Sequence, residues 1–158
     1  MLRIGFGYDS HRFAAGRPFI LGGQRIAFEK GLEGHSDADA VAHAVTDAIL
    51  GAAGAGDLGA MFPDSDPQWK DADSLVLLRL ARERINALGF HPVQADVTIV
   101  CEKPRLGVYK DAMAQAIAGE LGIAPDAVGM KAKTNERMGF VGRGEGIAVF
   151  AVALVEAR

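Results

Sequence analysis

The stretch YDSHRF, residues 8–13, closes an apolar run with a carboxylate, Asp9, and an imidazole, His11, two positions apart. In extended chain, residues i and i+2 point the same way, so both side chains face one spot. Three of the four histidines, His11, His35 and His43, fall between positions 11 and 43. If Asp9, His11 and His43 converge, they form a two-histidine, one-carboxylate set with a coordination position left open. That is the composition of a catalytic rather than a closed structural zinc site. Asp39 lies one helical turn before His43 and Asp47 one turn after it, so both are candidates to orient such ligands. A solvated helix surface is the plainer reading of each.

Two further clusters could do chemistry. DLGAMFPDSDP (57–67) is acidic. Counted from Asp64, a calcium loop needs Gly at its sixth position and Glu at its twelfth, where this chain has Trp69 and Leu75. The segment therefore reads as a capped turn, or as a loop whose acceptors, led by Asp57, hold substrate hydroxyls. In KAKTNERMGFVGRGEG (131–146), Gly139, Gly142, Gly144 and Gly146 allow close backbone approach to a ligand or a neighbouring chain. Arg143 and Glu145 there form either a solvated pair or an anion site. GAGDLG (54–59) matches the dinucleotide fingerprint letter by letter, but a helix precedes it and an acidic loop follows. That motif acquires its meaning only between a strand and a helix. Cys101 lies within a strand and reads as a packing residue rather than a nucleophile.

The elements that must position these groups follow from pattern. RPFILGGQRIAF (17–28) reads as two short strands around Gly22-Gly23. SDADAVAHAVTDAILGAAG (36–54) is an Ala-rich helix with a cap at Ser36 or Asp37. Residues 74–88 form a second helix, with Leu77, Ala81, Ile85 and Leu88 on one stripe and Gly89 beyond its end. A third helix covers about 108–121, and strands cover 93–101, 128–134 and 147–155. Together they predict an α/β, two-layer sandwich: a mixed four-stranded sheet plus a small hairpin, with helices on one face. The last strand is apolar on both faces, so its second face is expected to meet another copy of the chain.

Composition narrows the functional classes. A length of 158 residues fits a single catalytic domain, 1–158, and a net charge of −3 gives nucleic acid nothing to bind. One cysteine excludes an internal disulfide and a cysteine-cluster zinc site, as suits a reducing compartment. No apolar run approaches the roughly 20 residues of a membrane span, and residues 2–8 are too short for a signal core, so the cytoplasm is the expected location.

GYDSHRF, GHSDADAVAHAVTDAILGAAGAGDLGAMFPDSDP and KAKTNERMGFVGRGEGIA, in this order and spacing, resemble the 2-C-methyl-D-erythritol 2,4-cyclodiphosphate synthases, lyases of the non-mevalonate isoprenoid pathway. The likeness covers essentially the whole chain and departs at Ser10, Ser65, Arg105, Lys133 and Asn135. It implies a reaction in which the 2-phosphate of 4-diphosphocytidyl-2-C-methyl-D-erythritol 2-phosphate attacks the β-phosphorus, giving the 2,4-cyclodiphosphate and CMP. Asp9, His11 and His43 match the ligands of one Zn2+ per chain. Glu136 matches a ligand of a second divalent ion, Mg2+ or Mn2+. His35 and Thr134 match groups that stabilise the transition state. The methylerythritol phosphate would be held by Ser36, Asp57, Leu58 and Gly59, near the zinc ligands Asp9 and His11. Phe62, Pro63, Asp64, Ser65 and Asp66 match the loop alongside it. The cytidine diphosphate moiety would lie in a subunit-interface pocket built around Cys101, Arg105, Leu106 and Gly107 on one side and Lys133, Thr134 and Asn135 on the other. The implied assembly is a homotrimer with sheets packed around the trimer axis and active sites between subunits. Phe140, Arg143 and Glu145 fall near that axis, where an isoprenoid diphosphate would bind in an axial cavity.

The residues agree with that chemistry, because a phosphate nucleophile is already anionic near neutral pH and needs positioning and charge neutralisation rather than a base. Two other classes use the same residues: a metal-dependent phosphohydrolase with water as nucleophile, and a trimeric module that binds nucleotides or isoprenoid diphosphates without turnover.

Overall fold

The computed structural model describes residues 1–158. Its elements are β1 (Leu2–Ala14), β2 (Ile20–Leu21), β3 (Gln24–Arg25), β4 (Gly31–Leu32), α1 (Ala40–Ala53), α2 (Leu58–Met61), α3 (Ser74–Ala87), β5 (Phe90–Val100), α4 (Lys110–Leu121), β6 (Val128–Lys133), α5 (Gly139–Gly142) and β7 (Gly146–Ala157). Five strands form one mixed sheet in the order β4-β1-β7-β5-β6. β7 is antiparallel to both β1 and β5, and β6 runs parallel to β5. The four long strands are those expected. The fifth, β4, pairs only Leu32 with Phe13 and Gly31 with Ala14, too few residues to show a periodicity. β2 and β3 form the separate hairpin, with Gly22 and Gly23 at φ 55° and 72°, as a tight primed turn demands.

Small side chains set how closely the helical layer approaches the sheet. β1 turns Gly5 and Gly7 toward α1, where a Cβ would overlap the backbone carbonyl oxygens of Ala48 and Ala44 respectively. Across the sheet Gly5 pairs with Ala153 and Gly7 with Ala151, so the floor beneath the helix is flat for two rows. α1 answers with Ala44, Ala48 and Ala52, one turn apart on a single stripe. All residues of α1 except Asp47 and Gly51 are buried, the pattern of an internal helix. α3 packs beside α1, and α4 lies over β6, which completes a helical layer on one face.

α1 begins later than expected. Its N-cap is Asp39, not Ser36 or Asp37, because Ala38 adopts a left-handed φ of 59° and bends the chain before the helix starts. The Asp39 carboxylate accepts from Ala42 N at 3.0 Å and from Gly22 N and Gly23 N at 2.8 Å each, so one side chain caps α1 and clamps the hairpin turn. Its complete burial pushes the carboxyl up to about 6, against the opposing pull of those three N–H donors. α3 has the expected span, although Leu88 caps its end and is exposed rather than continuing the buried stripe. Two segments expected as loops contain single helical turns, α2 and α5, each four residues long and too short for a 3.6-residue pattern.

The second face of the sheet is open. Ile4, Phe6, Tyr8, Phe150 and Val152 stand on it exposed, with the Phe150 ring 5.2 Å from Tyr8 and 6.3 Å from Phe6. No helix is long and apolar enough to cross a membrane.

Candidate metal centre and active site

Asp9 and His11 leave the helix-facing side of β1 just beyond the two glycines, and His43 comes from α1 directly above. Close packing of helix on strand therefore brings the three together. Asp9 Oδ2 lies 2.8 Å from His11 Nε2 and 3.1 Å from His43 Nδ1, and the two ring nitrogens are 3.3 Å apart. A four-coordinate ion with ligand distances of about 2.0–2.2 Å separates its donors by roughly 3.3 Å, so the cluster has the span of a divalent site. The donor set fits as well: two imidazoles and a carboxylate, with the side chains of His11 and Asp9 16% and 22% exposed, which leaves a solvent-facing approach. His11 Nδ1 donates to the Glu33 carbonyl at 2.7 Å, and a carbonyl can only accept, so Nε2 is the bare nitrogen aimed at the cluster.

Electrostatics agree. Burial works to raise the Asp9 pKa, yet hydrogen bonds and charge from His11 and His43 hold it below the usual carboxylate range. Burial likewise works to lower His11, but Asp9 outweighs it and the imidazole is raised. The two shifts are mutual, each group favouring the charged form of the other.

A second group of expected residues gathers elsewhere. Cys101, Arg105, Leu106, Gly107, Lys133 and Thr134 line a cavity of about 450 Å3 that includes no member of the metal cluster. Burial pushes the Cys101 thiol up to about 12, and its Sγ donates to the Lys103 carbonyl at 3.2 Å, so it is a wall and not a nucleophile. Beside this cavity Glu136 and Arg137 both hold left-handed φ, 52° and 63°. The Glu102 carboxylate fixes that turn by accepting from Asn135 N at 3.0 Å and Arg137 N at 3.1 Å. Phe140 lines a third concavity with Ser10, His11 and Arg12, and Arg143 pairs with Glu145 at 2.8 Å.

A model of the YgbB family matches residues 2–156. The chain belongs to the YgbB family. A 2-C-methyl-D-erythritol 2,4-cyclodiphosphate synthase from Laribacter hongkongensis is 55% identical over 157 residues, 99% of this chain and 97% of the relative. Among solved structures, the bifunctional IspDF from Campylobacter jejuni superposes with a TM-score of 0.96 at 39% identity, covering 100% of this chain and 43% of that one. The CDP complex of IspF from Plasmodium falciparum gives a TM-score of 0.86 at 29% identity, covering 99% and 97%.

In this YgbB-family chain the loop beside the metal cluster is ordered by two carboxylates, one of its own and one from α1. Asp57 caps α2 through Ala60 N at 2.8 Å, and Leu58 N donates to Asp47 at 2.7 Å. Asp47 thus anchors the start of α2, and Asp39 clamps the hairpin, so neither orients a metal ligand. Gly59 lies within α2, while Pro63, Asp64 and Ser65 lead out of it. Phe62 is buried edge-on against Trp69, with ring centroids 4.9 Å apart. His35 Nε2 donates to the Asp66 carbonyl at 3.2 Å, which ties the loop to the turn before α1. The Ser36 hydroxyl is turned inward, 3.1 Å from His43 Nε2. The residues that do touch the metal ligands from behind are Glu33, Ser36 and Ser74, none of which has a spacing signal relative to Asp9 or His43.

Proposed function

We propose that this YgbB-family chain is a phosphorus–oxygen lyase that converts 4-diphosphocytidyl-2-C-methyl-D-erythritol 2-phosphate to 2-C-methyl-D-erythritol 2,4-cyclodiphosphate and CMP. The observation that carries this reading is the convergence of Asp9, His11 and His43 in a chain with full-length kinship to enzymes of that name. An oxygen of the 2-phosphate forms a bond to the β-phosphorus while the bond from that phosphorus to the bridging oxygen breaks, and CMP leaves with the electron pair. The nucleophile is anionic without help, so the residues' task is alignment and charge neutralisation. Asp9, His11 and His43 would hold Zn2+, which supplies Lewis-acid polarisation of a phosphoryl oxygen. Glu136 would share Mg2+ or Mn2+ with substrate phosphates, because hard ions of that kind take oxygen ligands and keep few from protein. His35, tied to Asp66, and Thr134, at the rim of the 450 Å3 cavity, would stabilise the transition state at the reacting phosphates. Asp57, Leu58 and Gly59 would meet the methylerythritol part, beside Ser36 and the 62–66 loop.

Cytidine would occupy the cavity bounded by Cys101, Arg105, Leu106, Gly107, Lys133 and Thr134, with Asn135 next in the chain beyond its rim. That cavity and the metal cluster are separate within one chain, which supports a homotrimer in which one subunit's cavity abuts the next subunit's metal site. The exposed Ile4, Phe6, Tyr8, Phe150 and Val152 would then be buried around the trimer axis, with Phe140, Arg143 and Glu145 at an axial cavity that takes an isoprenoid diphosphate. Light scattering should report three times the chain mass at micromolar concentration, and a clean monomer would remove the interfacial site. On this reading a single catalytic domain, 1–158, would work in the cytoplasm beside its nucleotide substrate.

Cyclisation and hydrolysis differ in the fate of water. Turnover in oxygen-18 water should leave CMP and the methylerythritol product unlabelled, with a product lighter by one water than an open bisphosphate. Stoichiometric label in either product would make the chain a phosphohydrolase.

A further inference from the structure

We infer that Asp37 and Ser74 form a relay that fixes the tautomer and the aim of His43, which makes both of them positioning residues of the metal centre. The inference rests on the reading of Asp9, His11 and His43 as a divalent-ion site. It comes from following hydrogens one at a time. The Asp37 carboxylate can only accept; one of its oxygens takes the Ser74 hydroxyl hydrogen, and the other takes Ser74 N–H at 3.1 Å. With its single hydrogen directed there, Ser74 Oγ can act toward a second partner only as an acceptor. That partner is His43 Nε2, 2.8 Å away, so Nε2 carries the ring hydrogen. Ser36 Oγ, 3.1 Å from the same nitrogen, shares it, and the Ser36 hydrogen is free for Ser74 Oγ at 3.4 Å. Every hydrogen in the cluster then has an acceptor.

The consequence appears on the opposite edge of the ring. A neutral imidazole carries one N–H, so Nδ1 presents a bare lone pair to the point that Asp9 Oδ2 and His11 Nε2 also face, at 3.1 and 3.3 Å. The reverse tautomer would press two acceptors, Nε2 and Ser74 Oγ, together at 2.8 Å at positions only 7% and 0% exposed, a repulsion that a hydrogen turned over from Ser36 would not relieve. His11 reaches the same state by a different route, through the Glu33 carbonyl. The relay also ties together two helices: Ser74 is the first residue of α3, and Asp37 lies in the bend before α1, where it accepts from Asp39 N at 3.0 Å as well. A carboxylate acting through a hydroxyl orients the ring and raises the basicity of the nitrogen that ligates.

The test is Zn2+ affinity of the full chain, measured by competition with a chromophoric chelator. Ser74→Ala should weaken Zn2+ binding by about 10–100-fold, with Asp37→Asn weakened in the same direction. Affinity within about twofold of wild type in Ser74→Ala would overturn the relay, on the same scale of effects. A merely structural role would lower the melting temperature of the chelator-treated protein yet leave the gain on adding Zn2+ unchanged; the relay requires that gain to shrink. Should Ser74→Ala fail to fold, two readouts decide: the Asp37→Asn affinity, and exchange of the His43 Nε2–H in Zn2+-loaded wild type by nuclear magnetic resonance. That hydrogen should exchange slowly, and fast exchange overturns the proposal. Wild-type protein that binds no Zn2+, or His43→Ala that binds it fully, defeats the metal-centre reading and the relay with it. Wild type that binds normally beside unmoved Ser74 and Asp37 variants defeats the relay alone.

Discussion

His43→Ala should empty the metal centre and lower turnover by about a thousandfold or more, while far-ultraviolet circular dichroism stays near wild type. His43 supplies one of three donors, and its loss leaves Asp9 and His11 at 2.8 Å as an ordinary ion pair. A Lewis acid that contributes several kilocalories to a phosphoryl transition state corresponds to roughly three decades in rate. The helix itself survives the change, because alanine is the strongest helix former and His43 sits between Ala42 and Ala44 on an element already buried by its neighbours. Metal content and CMP release, measured on the same sample, check the two halves of this expectation. Full metal content in the variant would place the ion on other donors.

Gly7→Ala should cost stability on the order of 3 kcal/mol, the upper range for overpacking, and lower the melting temperature by roughly 10 °C for a chain of this size. The added methyl would meet the Ala44 carbonyl, which is backbone and has no rotamer to escape into. Relief requires α1 to lift from β1, and His43 lifts with it, so Zn2+ affinity should fall alongside stability although Gly7 touches no ligand. Gly51→Ala is the control. Its Cβ would meet nothing within 4 Å, it sits in the same helix, and it should gain about 0.5–1 kcal/mol from helix propensity. Thermal melts of the two variants should therefore move in opposite directions.

The candidate metal ligands are legible in the sequence for a simple reason. A period of two fixes which side chains of a strand share a side, so Asp9 and His11 pair by position alone, and a second histidine, His43 on the next long element, completes a recognisable set. The long helices and strands are legible by the same kind of periodicity. What stays hidden is what depends on contacts between distant segments. Ser36 and Asp37 have the composition of a helix cap, yet their side chains reach to His43 and Ser74, and the capping falls to Asp39. Asp39 in turn has the local pattern of surface or ligand support, because nothing nearby in the chain records that Gly22 and Gly23 lie against it. Glu102 and the 135–137 backbone are joined by two hydrogen bonds across more than thirty positions, and no local pattern encodes such a pairing. Single-turn α2 and α5 are shorter than the pattern needed to detect them.

The near-complete burial of α1 has a consequence for how the site comes apart. Amide hydrogens of Ala44 through Leu50, bonded within the buried helix, should need opening of the core to exchange, so they should define the slowest class in the molecule. Exposed Glu136 and Arg137, held by the Glu102 carboxylate and backbone bonds, and the exposed Asp64–Ser65 tip should open at far lower free energy. The platform of the candidate metal site and the loops proposed to meet substrate thus lie at opposite ends of the exchange ladder. If the proposed sites are right, mild denaturant should abolish nucleotide binding before it releases Zn2+.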